Sequence, residues 1–213
     1  IIIGGSKIST KLNTLHNIVM KANIVAIGGA MANTFLAAKN IEIGNSLFEK
    51  NMINNTQEIL KIAKYHNCEI ILPSDVVTAD NLRDSITAKE FNVGNIPKNK
   101  MIFDIGKKSI LNLISKIRES KSLVWNGPLG AFEFKPFDYS TRSVSNEVAK
   151  LTLEKKIISV AGGGDTVAAL SQSNNDQKFS YLSTAGGAFL EWLEGKELPG
   201  ITALKQDQII LKS

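Results

Sequence analysis

The run Gly162–Gly163–Gly164–Asp165–Thr166 places three glycines, an acid and a hydroxyl between an apolar stretch and a helix-forming one. A turn needs one glycine or two, so a third suggests that something other than protein approaches the backbone closely. A helix that starts directly after the glycines would turn its free N–H groups and positive dipole end toward an anion. Asp165 could hold Mg²⁺ there, directly or through water. The pattern indicates a site for a metal-bound phosphate group, although Asp165 could also be a helix N-cap.

The segment "GGSKISTK" adds two positive charges that such a site could use. Lys7 and Lys11 lie four residues apart, shortly after Gly5. A cation at the start of a helix opposes the helix dipole, so this position is unfavourable unless an anion is bound nearby. The alternative is a pair of solvated lysines. We predict that both lysines act as point charges beside the phosphate site.

Short apolar runs alternate with segments of helical periodicity along the whole chain. The strand-like runs are 1–3, 24–27, 69–72, 101–103, 122–125, 157–161 and 179–183, and the helix-like segments are 10–22, 30–40, 50–66, 107–119, 141–155, 166–173 and 186–195. Continuous apolar strands between helices are typical of βαβ units. We predict one α/β domain, a three-layer Rossmann-like fold with a mostly parallel central sheet and helices on both faces. The polar segment 76–100 fits less well and could form a small excursion.

Glycines follow most of the predicted strands, in "GGSK", "GGAMAN", "DIGKK", "NGPLG", "GGGDT" and "TAGG". In a parallel sheet the carboxyl ends of the strands meet at one edge, where open α/β folds bind ligands. One glycine-rich turn is weak support, but about five on one edge exceed what turn chemistry needs. We therefore predict a nucleotide-phosphate site at this edge, which we call the glycine edge.

Missing features narrow the class of protein. Neither a G-x-x-x-x-G-K-[ST] loop nor a G-x-G-x-x-G fingerprint occurs, and the two histidines, His16 and His66, lie in helix-like stretches. A site without a clear base or nucleophile suits phosphoryl transfer, which depends on positioning and charge stabilisation. The net charge of +5 comes from scattered lysines without interleaved aromatics, so we expect no nucleic-acid partner. The single cysteine and the lack of a long apolar run favour a cytoplasmic protein that does not enter a membrane.

Eight segments in order resemble the phosphoglycerate kinase family: "GGSKISTKL", "GGAMANTFL", "GNSLFE", "LPSDVV", "DIGKKS", "WNGPLGAFE", "GGGDTVAAL" and "STAGGAFLEWLEGKELPGI". Together they match the family's C-terminal, nucleotide-binding half across residues 1–213. The resemblance implies phosphoryl transfer between 1,3-bisphosphoglycerate and ADP, with Mg²⁺, at a cleft between two domains. It also implies that the N-terminal half, which binds 3-phosphoglycerate or 1,3-bisphosphoglycerate, is missing here. We therefore expect half of an enzyme, which is inactive alone and monomeric.

The family resemblance also assigns roles to individual residues. Lys7 would accompany the transferred phosphoryl group together with Gly186 and Gly187, and Asp165 would handle the metal. The nucleotide-binding set would be Gly5, Lys11, Gly29, Leu47, Asn126, Pro128, Gly130, Glu133, Gly163, Gly164, Asp165 and Thr166. Within this set, Leu47 resembles a wall of the adenine pocket and Glu133 a neighbour of the ribose. We expect Asp75 to be a supporting acid at the glycine edge and Asp104 to cap a helix.

Three positions depart from the family pattern. Ala30 and Ala185 stand where the family usually has glycine, and Ile102 stands where glycine is common. We expect Ala30 and Ile102 beside the adenine pocket and Ala185 beside the transferred phosphate. A methyl group at residue 185 is tolerable only if the backbone is not left-handed there.

A stand-alone nucleotide-binding module without catalysis is the alternative to half an enzyme. The chain begins in "III" without Met, which favours the reading of a piece of a longer protein. An RNA-binding α/β domain is a third possibility, but it would need arginines and aromatics on one face.

Overall fold

The computed structural model describes residues 1–198 and residue 202, and it contains a central sheet of six parallel strands. The order across the sheet is β3-β2-β1-β7-β8-β9. Its strands are β1 (Ile2–Ile3), β2 (Ile24–Ile27), β3 (Glu69–Ile71), β7 (Ser122–Asn126), β8 (Ile158–Gly162) and β9 (Tyr181–Ser183). Each pairing is parallel, as with Ile2 beside Ala26 on one side and Trp125 on the other. The predicted α/β fold with a mostly parallel sheet is confirmed.

Seven helices flank this sheet within the described residues. They are α1 (Leu12–Val19), α2 (Gly29–Ala38), α3 (Ile53–Tyr65), α4 (Lys107–Glu119), α5 (Tyr139–Leu153), α6 (Gly164–Gln172) and α7 (Gly186–Leu193). Short 3₁₀ turns at Ser9–Lys11 and Lys50–Met52 lead into α1 and α3. The periodicity of the sequence placed every helix correctly, with ends that differ by a few residues.

Two apolar cores lie on opposite faces of the sheet, because side chains alternate along each strand. Ile2 packs in a core with α4, α5 and α6, which includes Val144 and Trp125. Ile3, its neighbour, packs in the other core with α1, α2, α3 and α7, which includes Phe35. Helices therefore cover both faces, as predicted.

A second sheet forms from the segment that fitted the pattern poorly. Its strands are antiparallel in the order β5-β4-β6, and they are β4 (Asp75–Ala79), β5 (Lys89–Asn92) and β6 (Met101–Ile105). The prediction that 101–103 joins the main parallel sheet was wrong. A short apolar run does not specify its partner, and β6 pairs with β4 instead, with Val76 opposite Ile105. The excursion predicted for 76–100 is this sheet.

The carboxyl ends of five parallel strands carry the glycine-rich turns. Because β6 belongs to the antiparallel sheet, the turn "DIGKK" that follows it does not lie on the glycine edge. The other five turns do. None of the helices in the described part of the chain is both long and apolar enough to cross a membrane. The last residues of the "ELPGI" motif lie outside the described residues.

Candidate nucleotide site

The three glycines of the 162–164 run differ in whether the protein itself requires a glycine at that position. A Cβ on Gly162 would overlap the ring of Phe189. Gly163 has φ +98°, a conformation that strains any L side chain, and its Cβ would also approach the Asn126 amide. Gly164 has neither constraint, since its φ is not in the left-handed range and nothing described lies within 4 Å of the Cβ it lacks. The open space above Gly164 is therefore the part of the run that protein packing does not explain.

Helix α6 begins at Gly164, with Gly163 as its N-cap. Asp165 is the second helical residue, is exposed, and makes no capping hydrogen bond, so the N-cap alternative is wrong. The predicted helical segment 166–173 began two residues too late, because Gly164 already adopts helical geometry. Thr166 is buried, and its Oγ1 accepts the Gly127 N–H at 2.6 Å. The helix start thus presents backbone N–H groups and one free carboxylate to the glycine edge.

Lys11 reaches under the glycine edge and is mostly buried. Its Nζ donates to the Gly4 carbonyl at 2.8 Å, to the Asn126 carbonyl at 3.2 Å and to Asn126 Oδ1 at 2.5 Å. Burial lowers the pKa of Lys11 to about 8, although nearby Asp165 acts to raise it. An anion bound close to Asp165 and the helix start would favour the charged form of Lys11.

Asn126 connects the same turns from below. It is 2% exposed, and its Nδ2 donates to the Gly162 carbonyl at 2.8 Å while its Oδ1 accepts from Lys11. In this conformation the side chain joins the ends of β1, β7 and β8 and does not point into open space. The family resemblance implied that Asn126 is part of the site, and the structure places it beside the glycine-rich turn that follows β8.

A cavity of about 360 Å³ opens at the glycine edge, between the central sheet and the antiparallel sheet. Seven of the residues predicted to bind nucleotide line it, namely Gly5, Gly29, Leu47, Pro128, Gly130, Glu133 and Asp165. Ala30 and Ile102 also line it, as expected for departures beside the adenine pocket. The other five residues predicted to bind nucleotide lie outside the lining, namely Lys11, Asn126, Gly163, Gly164 and Thr166, as does Lys7, which was predicted to be catalytic.

The cavity has an apolar end and a polar end. Leu47 lines the cavity and is 57% exposed. Together with Ile102 and Phe132 it forms a surface suited to a flat aromatic ring. Asp165 lies at the other end, next to the start of α6. The cavity thus offers apolar side chains near Leu47 and a carboxylate near the start of α6.

Sequence reasoning missed part of this lining. Ser6, Val76, Leu82, Phe103 and Phe132 contribute to the cavity but were not predicted. Val76, Leu82 and Phe103 come from or beside the antiparallel sheet, whose position the sequence did not give. Phe132 belongs to "WNGPLGAFE", so the motif itself was the signal that could have identified it.

The residues predicted to be catalytic lie on two turns of the glycine edge. Lys7 is exposed on the turn between β1 and α1, and α7 begins at Gly186, followed by Gly187. Ala185 precedes this helix, and its carbonyl accepts the Phe189 N–H at 2.9 Å. Its φ is not positive, so the methyl group is tolerated there. β8 and β9 are neighbours, which places the starts of α6 and α7 side by side.

Asp75 and Asp104 both cap helices, so the role expected for Asp75 was wrong, and the role expected for Asp104 was right except for the helix that it caps. Asp75, expected as a supporting acid of the site, is buried and accepts the N–H groups of Lys108 (2.9 Å) and Ser109 (2.7 Å) at the start of α4. Asp104 does cap a helix, but the helix is α5, through Ser140, and not the one that follows it in sequence. Burial raises the pKa of Asp104 to about 7, against its hydrogen bonds from Ser140 and Ile105.

The residues present suit a metal that arrives with a nucleotide. In the part of the chain that the structure describes, no three His, Cys, Asp or Glu side chains gather around one point. Mg²⁺ keeps several waters and binds through one or two carboxylates plus substrate phosphates. Asp165, exposed beside the open space at Gly164, supplies such a carboxylate. The donor set therefore fits Mg²⁺ in company with phosphate oxygens.

Comparisons with known proteins agree with this geometry. The family model described as phosphoglycerate kinase matches residues 1–196. The chain is 50% identical over 204 residues to the phosphoglycerate kinase of Methylorubrum populi and 48% identical to that of Zymomonas mobilis. Each match covers 96% of this chain and 51% of the relative. The chain thus spans about half the length of the curated relatives it matches.

Solved structures give the same result. The phosphoglycerate kinase of Coxiella burnetii superposes with a TM-score of 0.91 at 41% identity, over 97% of this chain and 52% of that one. The enzyme of Pyrococcus horikoshii superposes with a TM-score of 0.77 at 25% identity, over 96% and 51%. With the family model matched across nearly all of its length, the chain belongs to the phosphoglycerate kinase family.

Proposed function

We propose that this chain is the C-terminal, nucleotide-binding domain of a two-domain phosphoglycerate kinase, spanning residues 1–213. The reaction would transfer a phosphoryl group between 1,3-bisphosphoglycerate and ADP, giving 3-phosphoglycerate and ATP. Family membership supports the reaction class, and the cavity that ends at α6 supports a nucleotide as the ligand of this half.

The open space at Gly164 is the observation that carries the proposal. Packing explains Gly162, and backbone conformation explains Gly163, but neither explains Gly164. A phosphate oxygen that approaches the first N–H groups of α6 needs this space free of a side chain. The absent Cβ therefore acts as an opening for an anion.

Each part of the site would do one task in the transfer. The apolar end with Leu47 would hold the base, and Glu133 would lie near the ribose. The N–H groups at the start of α6 would bind the phosphates, and Lys11 would neutralise them from below. Lys7 would follow the transferred phosphoryl group, whose charge spreads over its oxygens in the transition state. Mg²⁺, when bound with the nucleotide, would be held by Asp165 and would screen the phosphate charges.

The starts of two helices would act together on the phosphoryl group. Gly186 and Gly187 begin α7 next to α6, and helix N-terminal N–H groups stabilise developing negative charge without reorganisation. The acceptor carboxylate would come from the other half of the enzyme. Closing the two halves would align it and exclude water.

A nucleotide-binding module without catalysis is the second candidate. The same cavity and the same glycine-rich turn at residues 162–164 would serve such a module. The module would not require Lys7. Three further statements stay predictions: that the protein is monomeric, that it is cytoplasmic, and that it has no nucleic-acid partner.

Calorimetric titration of this chain with ADP, in the presence and absence of Mg²⁺, tests the proposal. We expect one site with micromolar to millimolar affinity, or roughly −4 to −8 kcal/mol. Asp165→Ala should weaken Mg·ADP far more than metal-free ADP, because its partner is the ion. Glu58→Ala, which removes an exposed acid on α3, is the matched control and should change neither. An absence of heat at millimolar nucleotide would rule out the proposal, and equal weakening of both forms would remove Asp165 from metal binding.

A further inference from the structure

Glu49 connects the turn that carries Lys7 to the wall of the cavity. Its Oε1 accepts the Ser9 hydroxyl at 2.6 Å, and its Oε2 accepts the Ser9 backbone N–H at 3.0 Å. Ser9 is the first residue of the 3₁₀ turn that leads into α1. A carboxylate from forty positions away in the sequence thus caps this helical start, a position where negative charge is favourable.

The segment that contains Glu49 is itself fixed to the cavity. The Glu49 N–H donates to Thr34 Oγ1 at 3.1 Å, and Asn33 Nδ2 donates to the Leu47 carbonyl at 3.0 Å. Both contacts come from α2, whose first residues line the cavity. Leu47 lies two residues before Glu49 and forms the apolar end. Glu49 is therefore anchored to the same wall that would hold the base.

The turn 6–9 is held by apolar packing at one residue, since Ile8 is buried in the core with α1, α2 and α3, while Ser6, Lys7 and Ser9 are exposed. Within the described residues, Ser6 and Lys7 make no side-chain hydrogen bond to another element, and the Thr10 hydroxyl bonds only locally, to the Lys7 carbonyl. Among the described residues, the bonds to Glu49 are the side-chain hydrogen bonds that join the exposed part of this turn to a distant part of the chain, in addition to the packing of Ile8. Burial acts to raise the pKa of the Glu49 carboxyl, but its Ser9 hydrogen bonds and the charge of Lys7 keep it below its ordinary value. The carboxylate is thus ionised at neutral pH and able to hold the turn.

We infer that Glu49 is a positioning residue, which holds the turn of Lys7 at a fixed place relative to the nucleotide cavity through its paired hydrogen bonds to Ser9. This inference rests on the proposed function, since it assigns Glu49 a role that acts through Lys7. Loss of the pair would leave base and phosphate binding intact and let Lys7 move away from the phosphoryl group. A small displacement of one charged group lowers the rate of the chemical step much more than substrate affinity.

The test is a double-mutant cycle in the full-length polypeptide that carries this chain. We expect Glu49→Gln to lower kcat by about 10-fold and to leave the KM for Mg·ADP within about twofold. In the Lys7→Ala background, Glu49→Gln should have no further effect, because a residue that acts through another adds nothing once that residue is gone. Glu58→Gln removes a comparable exposed carboxylate from α3 and is the control.

Amide hydrogen exchange at Ser9 measures the hydrogen-bond pair independently of catalysis. Exchange should be faster in Glu49→Gln than in the wild type, and unchanged in Glu58→Gln. Additive losses in the cycle, a rise in KM without a fall in kcat, or unchanged exchange at Ser9 would each overturn the inference. If Lys7→Ala alone leaves turnover unchanged, the proposed role of Lys7 and this inference both fail. If Lys7→Ala lowers turnover but Glu49→Gln does not act through it, only this inference fails.

Discussion

At the scale of the single residue, Gly164 shows that the protein's own packing and backbone conformation do not require every glycine of a glycine-rich turn. Glycines in βα turns commonly serve left-handed backbone or close packing, and Gly163 and Gly162 are examples of each. Gly164 begins a helix, where alanine is intrinsically favoured. Its side chain is missing from a place where the protein alone would tolerate one. Under the proposed function, this space is where a phosphate oxygen would approach the helix start.

Gly164→Ala should keep or raise stability and reduce nucleotide binding. The new methyl group meets no protein atom, and the helix propensity of alanine contributes up to about 1 kcal/mol. We expect urea unfolding to show equal or greater stability, and calorimetry to show Mg·ADP binding weakened by about 10-fold or more, or about 1.4 kcal/mol. Adenosine, which has no phosphate, should bind as to the wild type.

Gly162→Ala is the informative companion, because its methyl group would overlap the Phe189 ring. That variant should lose stability by a few kcal/mol through overpacking. If Gly164→Ala binds Mg·ADP as well as the wild type does, the open space is not a phosphate site.

At the scale of the element, buried carboxylates join strands to helix starts. Asp104, at 2% exposed, lies in β6 and accepts the Ser140 N–H at the beginning of α5. The carboxylate thereby connects the antiparallel sheet, which forms one wall of the cavity, to a helix of the main domain. Its neighbours with charge are Asp138, which disfavours its ionisation, and Arg142, which pairs with Asp138.

The raised pKa of Asp104 predicts a dependence of stability on pH. The folded-state pKa is about 7, and the ordinary value is 3.8, so the folded protein binds more protons than the unfolded chain between these values. The contribution of Asp104 is therefore fully present below pH 3.8 and is lost as the pH rises to about 7. We expect chemical unfolding to show that the stability of the wild type relative to Asp104→Asn falls across this window.

At low pH the Asp104→Asn variant should be less stable than the wild type, because one donor of Ser140 loses its acceptor. A stability difference that stays constant from pH 4 to 7 would show that Asp104 does not titrate as its burial requires.

The sequence predicted the elements better than their partners. Periodicity identified the helices and the six strands of the main sheet, because buried strands are continuous apolar runs between helices. The run at 101–103 looks the same in sequence, yet β6 joins the antiparallel sheet. A pairing partner is a property of tertiary packing, and strand composition does not encode it. For the same reason Asp104 could be recognised as a capping residue but not matched to its helix, and the capping role of Asp75 was not predicted.

In the site, too, the residues could be predicted better than their tertiary contacts. Glycine-rich turns on parallel strands meet at one edge by topology, so Gly5, Gly29, Gly130 and Asp165 could be grouped before the structure was known. The family resemblance assigned Lys11 and Asn126 to the same site, and only the structure shows that they bond to each other beneath the edge. The cavity walls from the antiparallel sheet could not be predicted, since they depend on where that sheet packs.

At the scale of the whole molecule, the proposed function makes this chain one side of a two-sided site. It spans about half the length of its curated relatives, and its cavity opens at the glycine edge without an opposing positively charged pocket in the lining. Phosphoryl transfer needs donor and acceptor aligned and shielded from water. A domain that holds the nucleotide alone would bind without turning over.

The 213-residue chain should therefore show no 3-phosphoglycerate-dependent turnover in a coupled assay. In the full-length polypeptide, Lys7→Ala should reduce turnover by about 10²–10⁴-fold with a much smaller change in nucleotide affinity, as expected for loss of one focused charge. Lys21→Ala, an exposed lysine that follows α1 at the opposite end of the helix, is the matched control. Robust turnover by the isolated chain would contradict the division of the site between two halves.

Chemical-shift mapping of Mg·ADP on the ¹⁵N-labelled chain tests most directly whether the glycine edge is a nucleotide site. The account predicts that saturable shifts concentrate at the amides of Gly5, Gly29, Ala131 and Gly164, which follow the cavity from its walls to the start of α6. The amide of Lys150, on the far part of α5, should not move. Shifts that cluster away from the glycine edge, or none at millimolar Mg·ADP, would contradict the assignment of the site.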